Sequence, residues 1–252
     1  MQTQKDKYVK KVFTYIYIAW FAIVFVGFFL AIYPILWLFL RSPKTYRVAD
    51  YMRKAWGRFS AYFGFMLPQI TYVERLNAKQ QYIICPNHIS YLDIILTGGF
   101  LPTFNFFMAK MELKNIPLFN IWFKTIDVPV KRESLRGSHT AFIDAGKKLD
   151  TGMSLIIFPE GRIPKNAPQL KHPLKLGAFK LAIEKGIPVV PVTILDNHKR
   201  MNVYDFTMSP GRMRMIVHAP IETKDLSSES SEALAEQVYS VINQQLIDSK
   251  VI

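Results

Sequence analysis

His88 and Asp93 stand five positions apart in the run Asn87-His88-Ile89-Ser90-Tyr91-Leu92-Asp93. A neutral imidazole can take a proton from a hydroxyl group, and a carboxylate can fix its tautomer and stabilise the imidazolium that forms. Residues five apart do not share a face of a straight helix. The two meet if His88 sits in a turn and Asp93 faces back from the first helical turn. Taken alone, such a pair is more often structural than catalytic. A second run, Phe158-Pro159-Glu160-Gly161-Arg162, puts a carboxylate and a guanidinium on one tight turn. A surface ion pair there would contribute little. As a binding site, Glu160 would accept from hydroxyl groups and Arg162 would hold phosphate oxygens. Lys110 and the pair Lys131-Arg132 each follow an apolar run, and Ile187-Pro188-Val189-Val190-Pro191-Val192 closes the series.

Residues so far apart must be gathered by the elements between them. The runs Tyr82–Cys85, Phe104–Met108, Ile126–Val130, Ser154–Phe158, Val189–Ile194 and Met213–Val217 are short, rich in β-branched or aromatic residues, and read as strands. Tyr91–Gly99, Pro117–Lys124, Leu135–Asp150, Lys175–Lys185 and Ser230–Ser249 read as helices, the last entered through the Ser-rich stretch Leu226–Ser231. The alternation predicts an α/β fold: a single, mostly parallel sheet flanked by helices on both faces. Sites in such sheets lie outside the carboxyl ends of the strands. His88, Lys110, Arg132 and Glu160 to Arg162 follow four different strands, so all should reach one rim. Phe59–Pro68 reads as the first core helix of this domain or as an apolar stretch lying on a membrane.

From Val12 to Leu40 there is no charged residue. About 20 apolar residues suffice for a helix to cross a hydrocarbon core. Pro34 predicts a kink or break near Tyr33. Lys5, Lys7, Lys10 and Lys11 precede the run, and Arg41, Lys44, Arg47, Arg53, Lys54 and Arg58 follow it. Basic flanks favour the cytoplasmic side. The pattern therefore predicts a membrane-embedded helical hairpin, or two half-inserted helices, with both ends cytoplasmic; a single-span anchor is the alternative. The run exceeds the roughly 7–15-residue core of a signal peptide. We divide the chain into membrane-associated helices (1–58) and a catalytic domain (59–252). The net charge of +13, from 32 Lys+Arg against 19 Asp+Glu, favours an anionic partner. Its concentration at the membrane flanks points to anionic membrane lipid and away from nucleic acid. Cys85 is the single cysteine, so neither an intramolecular disulfide nor an all-cysteine metal site can form.

The order of these blocks resembles that of the glycerolipid acyltransferase family and, within it, the bacterial 1-acyl-sn-glycerol-3-phosphate acyltransferases. The blocks are Asn-His-x4-Asp, a basic loop ending in Arg132, Phe-Pro-Glu-Gly, and the Val-Pro-rich strand. The resemblance runs roughly from Tyr82 to Val192, and Lys175 and Gly177 match as well. It implies transfer of a fatty acyl group from acyl-CoA or acyl carrier protein to the sn-2 hydroxyl of lysophosphatidic acid, giving phosphatidic acid. By the same resemblance His88 is the general base and Asp93 orients it. Lys110 and Arg132 bind the phosphate, with Arg162 a weaker match, and Glu160 and Gly161 belong to the glycerol-phosphate site. Amides at the N-terminus of the following helix would stabilise the oxyanion. No metal, cofactor or covalent intermediate is expected. The apolar N-terminal segment resembles the family's two-helix membrane element, which implies an enzyme on the cytoplasmic face of the inner membrane. The chain departs from the pattern in three places. Asp127 stands where a Gly is common, five positions before Arg132. Arg162 follows Gly161 directly, and Ile163 takes the usual Arg position. Cys85 and Pro86 precede Asn87. Three alternatives stay open. A lyso-ornithine lipid or glycerol 3-phosphate would serve as acceptor by similar chemistry. Cys85 would serve as an acyl-enzyme nucleophile in a thiol-dependent enzyme, although a lone cysteine ending an apolar strand is usually a small core residue. The chain would also fit a non-catalytic protein that binds anionic lipid.

Overall fold

The computed structural model describes residues 4–131 and 134–252. In chain order it contains α1 (Gln4–Phe39), α2 (Tyr46–Phe63), β1 (Met66–Tyr72), β2 (Ile83–Pro86), α3 (Leu92–Phe100), β3 (Asn105–Lys110), α4 (Ile121–Thr125), β4 (Val128–Val130) and α5 (Leu135–Leu149). There follow β5 (Ser154–Ile156), α6 (Gly177–Lys185), β6 (Val189–Ile194), α7 (Asn197–Arg200), β7 (Met201–Asn202), β8 (Thr207–Met208), β9 (Gly211–Val217) and α8 (Ser231–Asp248).

Side chains alternate across each strand, and this sorts the core into two layers. Ile83 and Cys85 of β2, Phe106 and Met108 of β3 and Leu155 of β5 join a cluster with Ala145, Phe179 and Val238 of α5, α6 and α8. Ile84, Phe107 and Ile156, one position along, join Val190 and Val192 of β6 with Leu92 and Leu96 of α3. The sheet has the order β1-β9-β6-β2-β5-β3-β4. From β6 to β4 all neighbours are parallel. Strand β9 runs antiparallel to β6 and carries β1 parallel to itself at the edge. The expected mostly parallel sheet with helices on both faces is what forms.

Two expectations need correcting. The apolar run does not fold back on itself. It is one continuous 36-residue helix, α1, with Pro34 inside it. Proline removes a single amide donor, and every other peptide unit of an apolar segment still gains by bonding within the helix. The helix pair is instead α1 with α2, a helix that carries the charges Arg47, Asp50, Arg53, Lys54 and Arg58. Position 58, our boundary between units, lies inside α2. At about 1.5 Å per residue α1 measures about 54 Å. Among the described residues it is the one helix long and apolar enough to cross a membrane, and its exposed apolar surface suggests membrane association. The second correction concerns Phe59–Pro68, which is not one helix. Gly64 ends α2, Phe65 adopts a left-handed conformation, and β1 begins at Met66. An apolar run that crosses from helix to strand has no period to betray the junction. Pro68 is tolerated because β1 is an edge strand.

Two contacts fix the helical pair to the sheet. A β-carbon on Gly57 of α2 would lie 3.0 Å from the Cα of Gly99 in α3, so the absence of side chains lets these helices touch. Below this contact, Arg53 is buried. It donates from Nη1 to Asp127 Oδ1 (2.9 Å) and from Nη2 to Asp50 Oδ1 (2.8 Å) and to the carbonyl of Asn105. Asp127 also accepts from the amide of Phe107 (2.9 Å). The carboxylate that replaces the common glycine thus ties α2 to β3 and to the start of β4.

Candidate active site

Strand β2 ends at Pro86, and Asn87 then stitches the chain to β6. Its Nδ2 donates to the carbonyl of Ile194 (3.0 Å), and its Oδ1 accepts from the amide of Ile194 (2.7 Å). The side chain replaces the backbone ladder where the strands diverge, so the next residue, His88, leaves the sheet at a fixed point. The turn Ile89–Tyr91 leads into α3, with Asp93 in its first turn. Asp93 Oδ2 lies 2.9 Å from His88 Nδ1 and accepts from the amides of Ile89 (2.7 Å) and Ser90 (2.8 Å). The carboxylate is wholly buried. The expected back-facing geometry is therefore present, and it fixes the imidazole with Nδ1 as donor and Nε2 as the free base. The imidazole lies on the ring of Phe158, with centroids 4.1 Å apart and planes 21° apart.

Sequence reasoning missed Asn197. It opens α7 after β6, is fully buried, and donates from Nδ2 to Asp93 Oδ1 (2.8 Å). It lies 104 positions from Asp93, and no local pattern signals it. Hydrogen bonds to charged groups are worth about 1.5–3 kcal/mol, so Asn197→Ala should lower turnover at least about tenfold with KM little changed. Steady-state kinetics on the purified variant would check this, and a KM effect with normal kcat would show that Asn197 acts elsewhere.

Glu160 is buried and has both oxygens engaged by backbone. Oε1 accepts from the amide of His88 (2.6 Å) and Oε2 from the amide of Lys171 (2.9 Å). The carboxylate braces the turn that begins at His88 against the segment before α6. Burial raises its pKa to about 7, against the pull of the two amides that favour the charged form. The native state therefore binds a proton that the unfolded chain has lost. This contribution to stability is full below the ordinary value of 4.5 and disappears as pH rises through about 7. Relative to a Glu160→Gln variant, the wild type should lose about 3 kcal/mol of stability between pH 4 and 8. Denaturant midpoints of both proteins across that range would reveal it; parallel curves would contradict it.

Gly161 has a φ of +76°, and any β-carbon there would meet the Lys175 side chain at 2.6 Å. Glycine is thus needed for its conformation and for the close passage of Lys175, whose amide bonds the carbonyl of Pro159 (2.9 Å). Arg162 is exposed on the same turn. Lys110 ends β3, is exposed, and has Nζ 3.5 Å from Glu112 Oε1. Its register partner is Val130, the last residue of β4. Arg132 lies outside the described residues. The rim therefore brings His88, Asp93 and Glu160 into one bonded unit, with Gly161 and Arg162 on the adjoining turn. Lys110 stands at the end of the next strand but one. A cavity of about 480 Å³ lined by Phe104, Asp127 and Met153 opens at the opposite rim, away from this chemistry.

The expectation for the oxyanion narrows, and the cysteine alternative is disfavoured. Four amides at the start of α3 are already engaged. Those of Ile89 and Ser90 bond Asp93, that of Leu92 bonds Ser90 Oγ (3.3 Å), and that of Asp93 bonds the carbonyl of Ser90 (3.2 Å). The first two hold the carboxylate in place, and these four are not open to an oxyanion. Cys85 is fully buried in the opposite core layer, and burial pushes its thiol pKa far up, which disfavours the thiolate a nucleophile requires. Cys85→Ser should keep near-wild-type turnover and show no labile acyl adduct in either protein; loss of both would restore the thiol mechanism.

Comparison with known proteins agrees with this geometry. A family model described as acyltransferase matches residues 68–195. The 1-acyl-sn-glycerol-3-phosphate acyltransferase of Saccharomyces cerevisiae is 29% identical over 186 residues, covering 68% of this chain and 56% of that protein. The chain thus spans little more than half of the yeast relative's length. The protein of the same name from Borreliella burgdorferi is 29% identical over 206 residues, covering 80% of this chain and 78% of that protein. Among solved structures, the 1-acyl-sn-glycerophosphate (LPA) acyltransferase PlsC from Thermotoga maritima superposes with a TM-score of 0.79. It covers 96% of this chain and 98% of that chain at 24% identity, a likeness of fold.

Proposed function

The chain belongs to the acyltransferase family, and from that premise we propose that it acylates the sn-2 hydroxyl of 1-acyl-sn-glycerol 3-phosphate, giving phosphatidic acid. The observation that carries this reading is the His88–Asp93 pair, 2.9 Å apart, at the carboxyl rim of the sheet. The curated relatives named as enzymes of that reaction support the choice of acceptor. His88 Nε2 takes the hydroxyl proton as the oxygen attacks the thioester carbonyl of acyl-CoA or acyl carrier protein. The C–S bond then breaks, and the imidazolium returns its proton to the leaving thiolate. Asp93 supports the positive charge that His88 carries between the two transfers. No metal or cofactor takes part in the steps so written.

The phosphate of the acceptor is held by Lys110, Arg132 and Arg162, with Gly161 leaving room at the turn. Glu160 acts on this site through the turn that carries His88. The lysolipid reaches the rim from an anionic membrane, on whose cytoplasmic face the domain sits. The basic residues on both sides of the uncharged run Val12 to Leu40 support that side. The test is an acyl-transfer assay in detergent with radiolabelled acyl-CoA and acyl carrier protein. Lysophosphatidic acid, glycerol 3-phosphate and a lyso-ornithine lipid would compete as acceptors. Preferential labelling of phosphatidic acid is expected. Preferential labelling of another product would replace the acceptor, and no transfer to any would leave a lipid-binding protein.

A further inference from the structure

The segment that supplies Asn197 continues into a small hairpin, β7–β8, whose apolar turn the catalytic account does not use. We propose that this turn, residues 203–206, is a second membrane contact that enters an anionic bilayer beside α1. The proposal rests on the reading that α1 is embedded in the membrane.

The hairpin stands on the catalytic rim and is bonded to it twice. Ser90 Oγ donates to the carbonyl of Met201 (2.8 Å), and Tyr204 OH donates to the carbonyl of Ile163 (2.7 Å), on the loop after Arg162. It also packs against α1 through β8, on the side where Phe21 and Met208 belong to the same core layer. At its tip Phe206 is 78% exposed and has a φ of +50°, a conformation bulky residues rarely adopt. A large ring held outward at a tight turn is not explained by the protein's own packing. The ring of Tyr204 is also exposed although its hydroxyl is bonded, the arrangement that suits an aromatic at a lipid–water boundary.

The surroundings favour lipid as the occupant. On α1 the side chains of Phe13, Ile16 and Trp20 are exposed, and Trp20 stacks on exposed Phe65 (6.2 Å) where α2 meets β1. The amide of Gly211, just beyond the hairpin, bonds the carbonyl of Phe65 (3.1 Å). The strand β8 side of the hairpin therefore shares an edge with the apolar surface of α1. Exposed Lys199 and Arg212, on the elements just before and just after the hairpin, add positive charge, which complements anionic headgroups. Asp205 is the one acid of the turn, and it is held back by Asn202 Nδ2 (2.9 Å). A bilayer contact here would place the turn bearing His88 and Asp93 at headgroup level, because the same hairpin is bonded to Ser90.

The experiment places a nitroxide label at Phe206→Cys in the full chain, with labels at Ile23→Cys in α1 and Lys147→Cys in α5 as references. Buried Cys85 stays unlabelled. The proteins are reconstituted into vesicles of phosphatidylcholine and phosphatidylglycerol, and access to oxygen and to a water-soluble nickel complex is measured. Labels at 206 and 23 should both favour oxygen, and the label at 147 should favour nickel. Oxygen access at 23 with nickel access at 206 overturns the hairpin contact alone. Nickel access at both overturns it together with the embedded α1. Low access to both reagents at 206 assigns the turn to a protein contact, such as a second copy, and also overturns the proposal.

Discussion

Replacing His88 with alanine should lower acyl transfer about 10³-fold, within the range that general acid–base groups contribute. The reason is geometric. His88 Nδ1 is committed to Asp93 at 2.9 Å, so Nε2 is the atom left to accept the substrate's proton. Asp93 itself is held by two turn amides and by Asn197, so its orientation does not depend on the imidazole. The alanine variant should therefore keep the turn, and lysolipid KM should change little while kcat falls. Kinetics in purified membranes, with unfolding midpoints of both proteins as a control, would check this. A parallel fall in stability would mean that the ring matters for packing on Phe158 and not for proton transfer.

The largest stability effect should come from Arg53. Arg53→Leu leaves Asp127 and Asp50 buried without their guanidinium partner, and breaking such a pair from one side costs about 3–5 kcal/mol. Replacing both Arg53 and Asp127 with leucine removes both charges and should recover part of that loss, with Asp50 still paired to Lys54. Denaturation of wild type, both single variants and the double variant closes a cycle whose coupling should exceed about 1 kcal/mol for residues in one network. Simple additivity would show that the pair contributes nothing beyond its separate parts. Activity should fall with stability in the single variant, because α2 is packed on α3 through Gly57 and Gly99, and α3 carries Asp93.

Much of this arrangement was legible in the sequence. The strands from β2 to β6 announce themselves as short apolar runs between turn residues, and the positions after them hold His88, Lys110 and Glu160. That order made a common rim predictable. Other features depend on contacts distant in the chain. Strand β1 was hidden because Phe59–Pro68 stays apolar while its backbone changes from helix to strand. Asn197 carries no local sign of its role, since its partner is Asp93, more than a hundred positions away. Glu160 reads in the sequence as half of a surface ion pair or as an acceptor for substrate hydroxyls, and only the amides of His88 and Lys171, which occupy both its oxygens, reveal a buried brace. Asp127, met first as a departure from a resemblance, acquires its meaning from Arg53, 74 positions earlier. Of the kink or break expected near Tyr33, the break does not form, because one missing donor does not outweigh the remaining bonds of an apolar helix.

Single-turnover transfer from a radiolabelled acyl thioester to lysophosphatidic acid, by wild type and by His88→Ala, tests the central claim most directly. Labelled phosphatidic acid is expected from the wild type with no labelled protein along the way, and about 10³-fold slower formation from the variant. Near-equal rates in the two proteins, or a protein-bound acyl group that forms and decays at the turnover rate, would contradict it.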